Sequence, residues 1–318
     1  VYEAPFIAEG LEDPAYSWSS IEAADHGRLR HLLQARHADA LVGQLMRRLE
    51  ELDRYDDSLV VVVSDHGVAF DPGQPIRGLG PDNAEQVMWT PLLIKAPGQT
   101  GGRLDERPVE TIDVVPTIAD HLEIDLPFPT DGTSLLGTAA EGDRSPDRRS
   151  FLDWSLNTVP ADDAGVVTVD GEAGYAAMLA LPAPGEGDDP DLRFYRFGRH
   201  GDLIGRRLSD LRLGPAVDGL ARIDQLDALT AVDTTAATLP VYLSGEIPGD
   251  DPVDLAVAVN GTIGGWTRTV AAPTGGRQRF WTMVPPELLV DGASAVSVAV
   301  IGGSGPDRRL RPVPVSGG

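Results

Sequence analysis

Asp65 and His66 stand side by side at the end of LVVVVSDHGVAF, residues 59–70. A carboxylate oxygen beside a neutral imidazole makes a mixed donor pair. It suits Zn²⁺ or Mn²⁺ better than a calcium shell built purely of oxygen. Gly67 lets the backbone turn away, so that both side chains can address one cation. Ser64 raises a second possibility, a Ser-Asp-His nucleophile system. Consecutive strand residues point to opposite faces, so three neighbours cannot form a hydrogen-bonded relay without an unusual bend. The context V-V-S-D-H also lacks the G-x-S-x-G elbow that exposes a nucleophilic serine, and that reading is set aside. A polar strand end with a hydrogen-bonded histidine is left open by the spacing alone.

Other residues are weaker candidates. Arg77 and Asn83 fall in the long loop after this block, where an arginine can clamp a sulfate or phosphate oxygen. Lys95 is the only lysine, so a catalytic lysine would have to be this one; its place in LLIKAPG reads as structural. His31, His37 and His121 read as surface helix residues, and Asp113 as a helix cap. Asn260-Gly261-Thr262 fits a glycosylation pattern, but a hairpin turn explains its Asn-Gly equally well. Trp266 and Trp281 read as core rather than as a carbohydrate-stacking platform.

These residues need elements to hold them. SSIE offers a capping box, Ser19 with Glu22. Leu29, Leu32, Leu33, Leu41, Val42, Leu45, Met46, Leu49 and Leu52 then follow at three- and four-residue steps, which predicts one long amphipathic helix. LVVVV shows no alternation and predicts a strand buried on both faces. A Gly/Pro-rich loop over 71–86 leads to a second strand in TPLLIKAPG. TIDVVPTIADHLEI predicts a helix with Pro116 in its first turn. Helix, buried strand, loop, strand and helix make an α/β layer, with ligands expected beyond the strand ends. EGDRSPDRRS reads as a charged linker. After it come short alternating runs (VVTV, LRFYRF, LPVYLSGEI, DLAVAV, RQRFWTMV and SAVSVAVI), and Asn260-Gly261 predicts a type I′ hairpin. The expected division is 1–140 for the α/β part, 141–150 for the linker and 151–318 for a mostly β module, a sandwich.

The totals narrow the function. With 49 acidic against 26 basic residues the formal charge is −23, so phosphate backbones would be repelled and nucleic acid is a poor partner. The absence of cysteine removes disulfides, thiolate zinc sites and a cysteine nucleophile. No apolar run approaches the roughly 20 residues of a membrane helix. Val1 opens neither with methionine nor as a signal peptide, as in a processed or truncated chain.

Five ordered blocks carry a family resemblance: a helix with Asp39 and Gly43 facing inward, SDHG, PLLIKAPG, TIDVVPTI and DGTSLL. Across residues 31–137 the chain resembles the second half of a sulfatase-type catalytic domain of the alkaline phosphatase superfamily. The resemblance implies that Asp65 and His66 ligate an active-site divalent cation, whether Ca, Mn, Zn or Mg. It implies a hydrolase of sulfate or phosphate esters, a phosphoethanolamine- or phosphoglycerol-type transferase being the variant. It also implies a small anionic ester or a glycan- or lipid-linked substrate. Arg77 is the candidate anion clamp. The parent protein is expected to be extracytoplasmic or membrane-tethered, with any anchor upstream. In that family the nucleophile and the first metal carboxylates come from the N-terminal half, so this chain is expected to be inactive alone. The alternative of another class is a non-catalytic scaffold whose β module binds glycan or cell envelope.

Overall fold

A computed structural model describes residues 17, 18, 20–79, 82–105, 107–136, 148–152, 166–170, 176, 189, 191–224, 226–273 and 275–315. The chain divides into two compact units. One gathers residues 11–20 and 34–181, and is called here the mixed unit; the other gathers 1–10, 21–33 and 182–318, and is called the β-rich unit.

Helix α1 spans Ile21–Glu51 and contributes to both units. Its buried residues, among them Leu29 and Leu33, all lie in the part belonging to the β-rich unit. The predicted stripe continues beyond them, but Leu41 and Leu45 are about half exposed, as is Leu52 just past the helix. Asp39, expected to face inward, is exposed as well. Period 3.6 marks which side of a helix is apolar, and says nothing about whether another element covers it. Ser19 of the expected capping box lies outside the described residues.

In the mixed unit, β1 (Val60–Val63) pairs with β2 (Leu92–Lys95) in antiparallel register, Val60 opposite Lys95 and Val63 opposite Leu92. The valines are half-buried and Val63 is 42% exposed, so the strand is not enclosed on both faces as its composition predicts. A run without alternation fits burial on both sides, but among the described residues the sheet has only these two strands. Lys95 settles the question of its role. Its ammonium donates to the carbonyls of Tyr55, Asp56 and Ser58 and sits over the Tyr55 ring, tying the end of β2 to the chain entering β1. Short helix α2 (Ala84–Met88) follows the Gly/Pro loop, and α3 (Val114–His121) follows β2, with Pro116 in its first turn. A further antiparallel pair, β3 (Arg148–Leu152) with β4 (Val166–Asp170), begins inside the stretch read as a linker.

The β-rich unit holds two four-stranded antiparallel sheets. The first runs β5 (Arg222–Ile223), β6 (Tyr242–Pro248), β10 (Arg277–Met283), β9 (Val270–Ala271); the second runs β12 (Arg309–Val313), β11 (Val296–Gly302), β7 (Asp254–Val259), β8 (Thr262–Arg268). Leu243, Ile247 and Phe280 of the first sheet join Leu255, Val257 and Leu310 of the second in one apolar cluster. Asn260 and Gly261 both have positive φ, 50° and 80°, as the predicted type I′ turn between β7 and β8 requires. The Asn260 amide is spent on the fold, donating to Leu288 O and accepting from Ala295 N. Trp266 is a core residue. One expectation fails here. LRFYRF was read as an alternating strand, but Leu192–Tyr195 form a 3₁₀ turn. Phe194 and Phe197, three apart, both pack on the core; over so few residues, period two and period three are hard to tell apart.

Candidate functional site

Asp65 and His66 sit just past the C-terminal end of β1, where the sequence places them. The Asp65 side chain is 86% exposed and that of His66 36%. Asp65 Oδ1 accepts the His66 backbone N–H at 2.9 Å, which folds the carboxylate back over the turn. His66 Nδ1 lies 2.8 Å from Gly67 O. A carbonyl only accepts, so Nδ1 carries the proton and the lone pair of the neutral ring is on Nε2. Nε2 stands 3.7 Å from Asp65 Oδ2. Two donors each about 2.1 Å from one cation, at a tetrahedral angle, are separated by roughly 3.4 Å, so a small side-chain movement brings this pair onto a common ion. A ring held by Nδ1–H to a backbone carbonyl and offering Nε2 is the arrangement of a metal-ligating histidine.

Ser64 does something else. Its hydroxyl donates to His66 O at 2.8 Å, which makes it a turn-forming group and not part of a relay through the imidazole.

Gly67 fixes the turn. Its N–H donates to Val87 O at 2.6 Å, and a Cβ at this position would lie 2.0 Å from Gln86 O. No side chain fits there, so residue 67 must be glycine for α2 to close against the end of β1. The loop between them is pinned from both sides. Trp18 donates its indole N–H to Ala69 O at 2.7 Å and stacks on Phe70. Ala69, Leu79, Ala84 and Val87 form a small apolar cluster beneath the loop.

Arg77 is exposed on this loop. Asn83 is not a second clamp: it is fully buried, and its amide donates to Pro75 O (2.9 Å) and Gly78 O (3.0 Å), holding the turn that carries Arg77. His31 and His37 are exposed on α1, as expected, and His121 is half-buried at the end of α3. Among the described residues, no group of three or more His, Asp or Glu side chains is placed to hold a metal ion. The candidate donors at this turn, among the described residues, are Asp65 and His66.

Asp113 precedes α3, as the cap reading has it, but its carboxylate does not cap that helix. Fully buried, it accepts from Glu110 N (2.9 Å) and from Thr133 N (2.8 Å). Thr117 donates to Asp113 O at 2.6 Å and accepts from Leu135 N at 3.0 Å. Gly132 completes the joint, since a Cβ there would meet Ile112 O at 2.1 Å. TIDVVPTI and DGTSLL are thus one buried polar joint.

In the β-rich unit a second cluster went unrecognised in the sequence. Asp254, at the start of β7, accepts from His200 Nε2 and Arg268 Nη1, both at 2.9 Å, with Arg199 at 3.5 Å. Arg199 also pairs with Glu22 of α1 at 2.8 Å. Burial pulls the Asp254 carboxyl upward, but the hydrogen bonds from His200 and Arg268 and the charge of Arg199 hold it below the usual carboxylate range. The partners are separated by 54 and 14 residues. The only signal in the sequence is the density of glycine and arginine in FGRHGDLIGRR.

Comparison with known proteins bears on the first cluster. Residues 22–124 match the family model for Sulfatase. The chain is 33% identical over 159 residues to the multifunctional alkaline phosphatase superfamily protein PehA of Trinickia caryophylli, a match covering 45% of this chain and 30% of that protein. It is 32% identical over 104 residues to arylsulfatase K of Homo sapiens, covering 32% of this chain and 19% of that protein. The chain thus spans less than a third of the length of these curated relatives. No solved structure matches it.

Proposed function

We propose, on the premise that residues 22–124 belong to the sulfatase family of the alkaline phosphatase superfamily, that this chain carries part of the metal-binding machinery of a hydrolase of sulfate or phosphate esters. Asp65 and His66 are the two ligands it contributes. The observation that carries this is the commitment of His66 Nδ1 to Gly67 O, which leaves Nε2 beside Asp65 Oδ2 at 3.7 Å. A divalent cation held there would neutralise charge on the ester oxygens in transfer. Arg77, on the loop held by Asn83, is the group we assign to the anionic end of the substrate. Transfer to an acceptor alcohol instead of water uses the same groups and differs in the acceptor alone. We place the substrate among small, glycan-linked or lipid-linked anionic esters, outside the cytoplasm. The division at 141–150 and the stacking of the two β sheets as a sandwich belong to the same reading.

One observation favours a non-catalytic scaffold: two donors do not complete a cation's shell, and the described residues supply no third. The test separates the two readings. Purified full-length protein should hold a divalent cation by elemental analysis and lose most of it in Asp65→Ala with His66→Ala, along with hydrolysis of 4-nitrophenyl sulfate or 4-nitrophenyl phosphate. Unchanged metal content in the double variant sinks the ligand assignment.

A further inference from the structure

We infer that Ser64 is a positioning residue for the cation-binding pair: its hydroxyl fixes the His66 ring in the tautomer and orientation that leave Nε2 free as a ligand. The inference rests on the ligand reading of Asp65 and His66 proposed above, and adds the group that sets their affinity. Ser64 stands just past the end of β1. Its hydroxyl is half-buried and, among the described residues, bonds to His66 O alone, at 2.8 Å.

The ring is anchored to an unrestrained kind of backbone. His66 Nδ1 donates to Gly67 O at 2.8 Å, so which nitrogen stays free depends on where that carbonyl points. Glycine restrains its own dihedrals less than any other residue. Residue 67 can be nothing else, since a Cβ there would lie 2.0 Å from Gln86 O. Close packing against α2 therefore brings glycine's freedom into the carbonyl that orients the ring.

Ser64 takes that freedom away. The peptide between His66 and Gly67 is held at both ends: its carbonyl accepts the Ser64 hydroxyl, and its N–H donates to Val87 O at 2.6 Å. A crankshaft rotation of this peptide, turning ψ of His66 against φ of Gly67, would break both bonds. The peptide before it is tied as well, His66 N–H to Asp65 Oδ1 at 2.9 Å. Only ψ of Gly67 is left between the anchored plane and the carbonyl that holds Nδ1. Removing the Ser64 hydroxyl frees one end of the plane and takes its partner from His66 O. The ring then samples both tautomers and more than one orientation, and a cation must order it on binding. Groups that orient a ligating histidine change metal affinity by about 10–100-fold.

Long-range ¹H–¹⁵N correlation spectra of the histidine rings of the whole chain, at about pH 8 where imidazole is neutral, test this as Zn²⁺ is titrated in. Before Zn²⁺ is added, wild-type His66 should be the Nδ1–H tautomer and Ser64→Ala should give a mixture of the two. Loss of stability alone does not produce that signature. Ser64→Ala should also weaken Zn²⁺ binding at His66 about tenfold. Ser64→Thr keeps the hydroxyl and should bring tautomer and affinity back to within about twofold of the wild type. An unchanged tautomer with Zn²⁺ affinity within about twofold in Ser64→Ala overturns the proposal while leaving the ligand assignment intact. So does impairment of Ser64→Thr equal to that of Ser64→Ala. No response of wild-type His66 to millimolar Zn²⁺ overturns the ligand assignment itself, and the proposal with it.

Discussion

His26 lies in the first turns of α1, buried, with its ring edge-on to Phe197 at 5.8 Å. Burial, helped by the nearby charge of Arg30, lowers its pKa from 6.5 to about 4. The unfolded chain therefore takes up this proton first as pH falls. The contribution is nil above about pH 6.5, and stability is lost progressively from there down to about pH 4, by about 3 kcal/mol in total. Urea unfolding of the wild type at pH 7 and pH 4.5 should show this loss, and His26→Leu should remove most of the difference between the two pH values. An equal pH dependence in the variant would show that His26 is not the group responsible. The place of Asp65 and His66 just past the end of β1 was legible in the sequence, because polar residues closing an apolar run mark a strand end; their role as ligands was implied by the family resemblance alone. Which ring nitrogen is free was not legible, since it depends on a hydrogen bond to Gly67 O that only the folded turn forms.

At the level of elements, buried hydrogen bonds join α3 to the segment 132–135. Asp113 is buried, and its two oxygens satisfy the N–H groups of Glu110 and Thr133. Asp113→Ala strands both donors and should cost about 2–4 kcal/mol. Asp120→Ala removes an exposed bond from Ser134 and should cost under about 0.5 kcal/mol. Thermal unfolding distinguishes the two, and hydrogen exchange at the Thr133 amide should accelerate in the first variant alone. The turn after β1 makes a matching prediction. With Gln86 O 2.0 Å from where a Cβ would stand, Gly67→Ala must displace α2 and should destabilise the mixed unit by about 2 kcal/mol or more in the same melt. Sequence reading found α3, β1 and β2, because period and turn residues are local, but it read the start of α2 as part of the 71–86 loop and the start of β3 as linker. It gave Asp113 the nearest local task, a cap. One oxygen does make a local capping contact, with Glu110 N at the 3₁₀ turn before α3; the other accepts from Thr133 N twenty residues away, and local pattern does not encode that contact.

At the scale of the molecule, the two units differ in how well they cover their apolar residues. The β-rich unit encloses a large core. In the mixed unit Leu41, Leu45, Leu93, Leu122, Ile124 and Phe128 are each about half exposed or more. Uncovered apolar surface of this kind marks contact with further protein or a tendency to associate. Leu41→Gln, Leu45→Gln and Leu93→Thr together should reduce concentration-dependent light scattering while shifting stability by only about 0.5 kcal/mol per site. A large loss of stability would show that these side chains are buried in solution. The stripe on α1 was visible in the sequence and its lack of cover was not, because periodicity describes a face and not its neighbour. The central claim is that Asp65 and His66 share a cation, and the most direct test follows the histidine rings by NMR as Mn²⁺ is titrated into the chain. The His66 resonances should broaden first, well before those of the exposed His31 and His37, and Asp65→Ala should abolish this preference. Broadening of His66 no greater than that of His31 and His37 would contradict it.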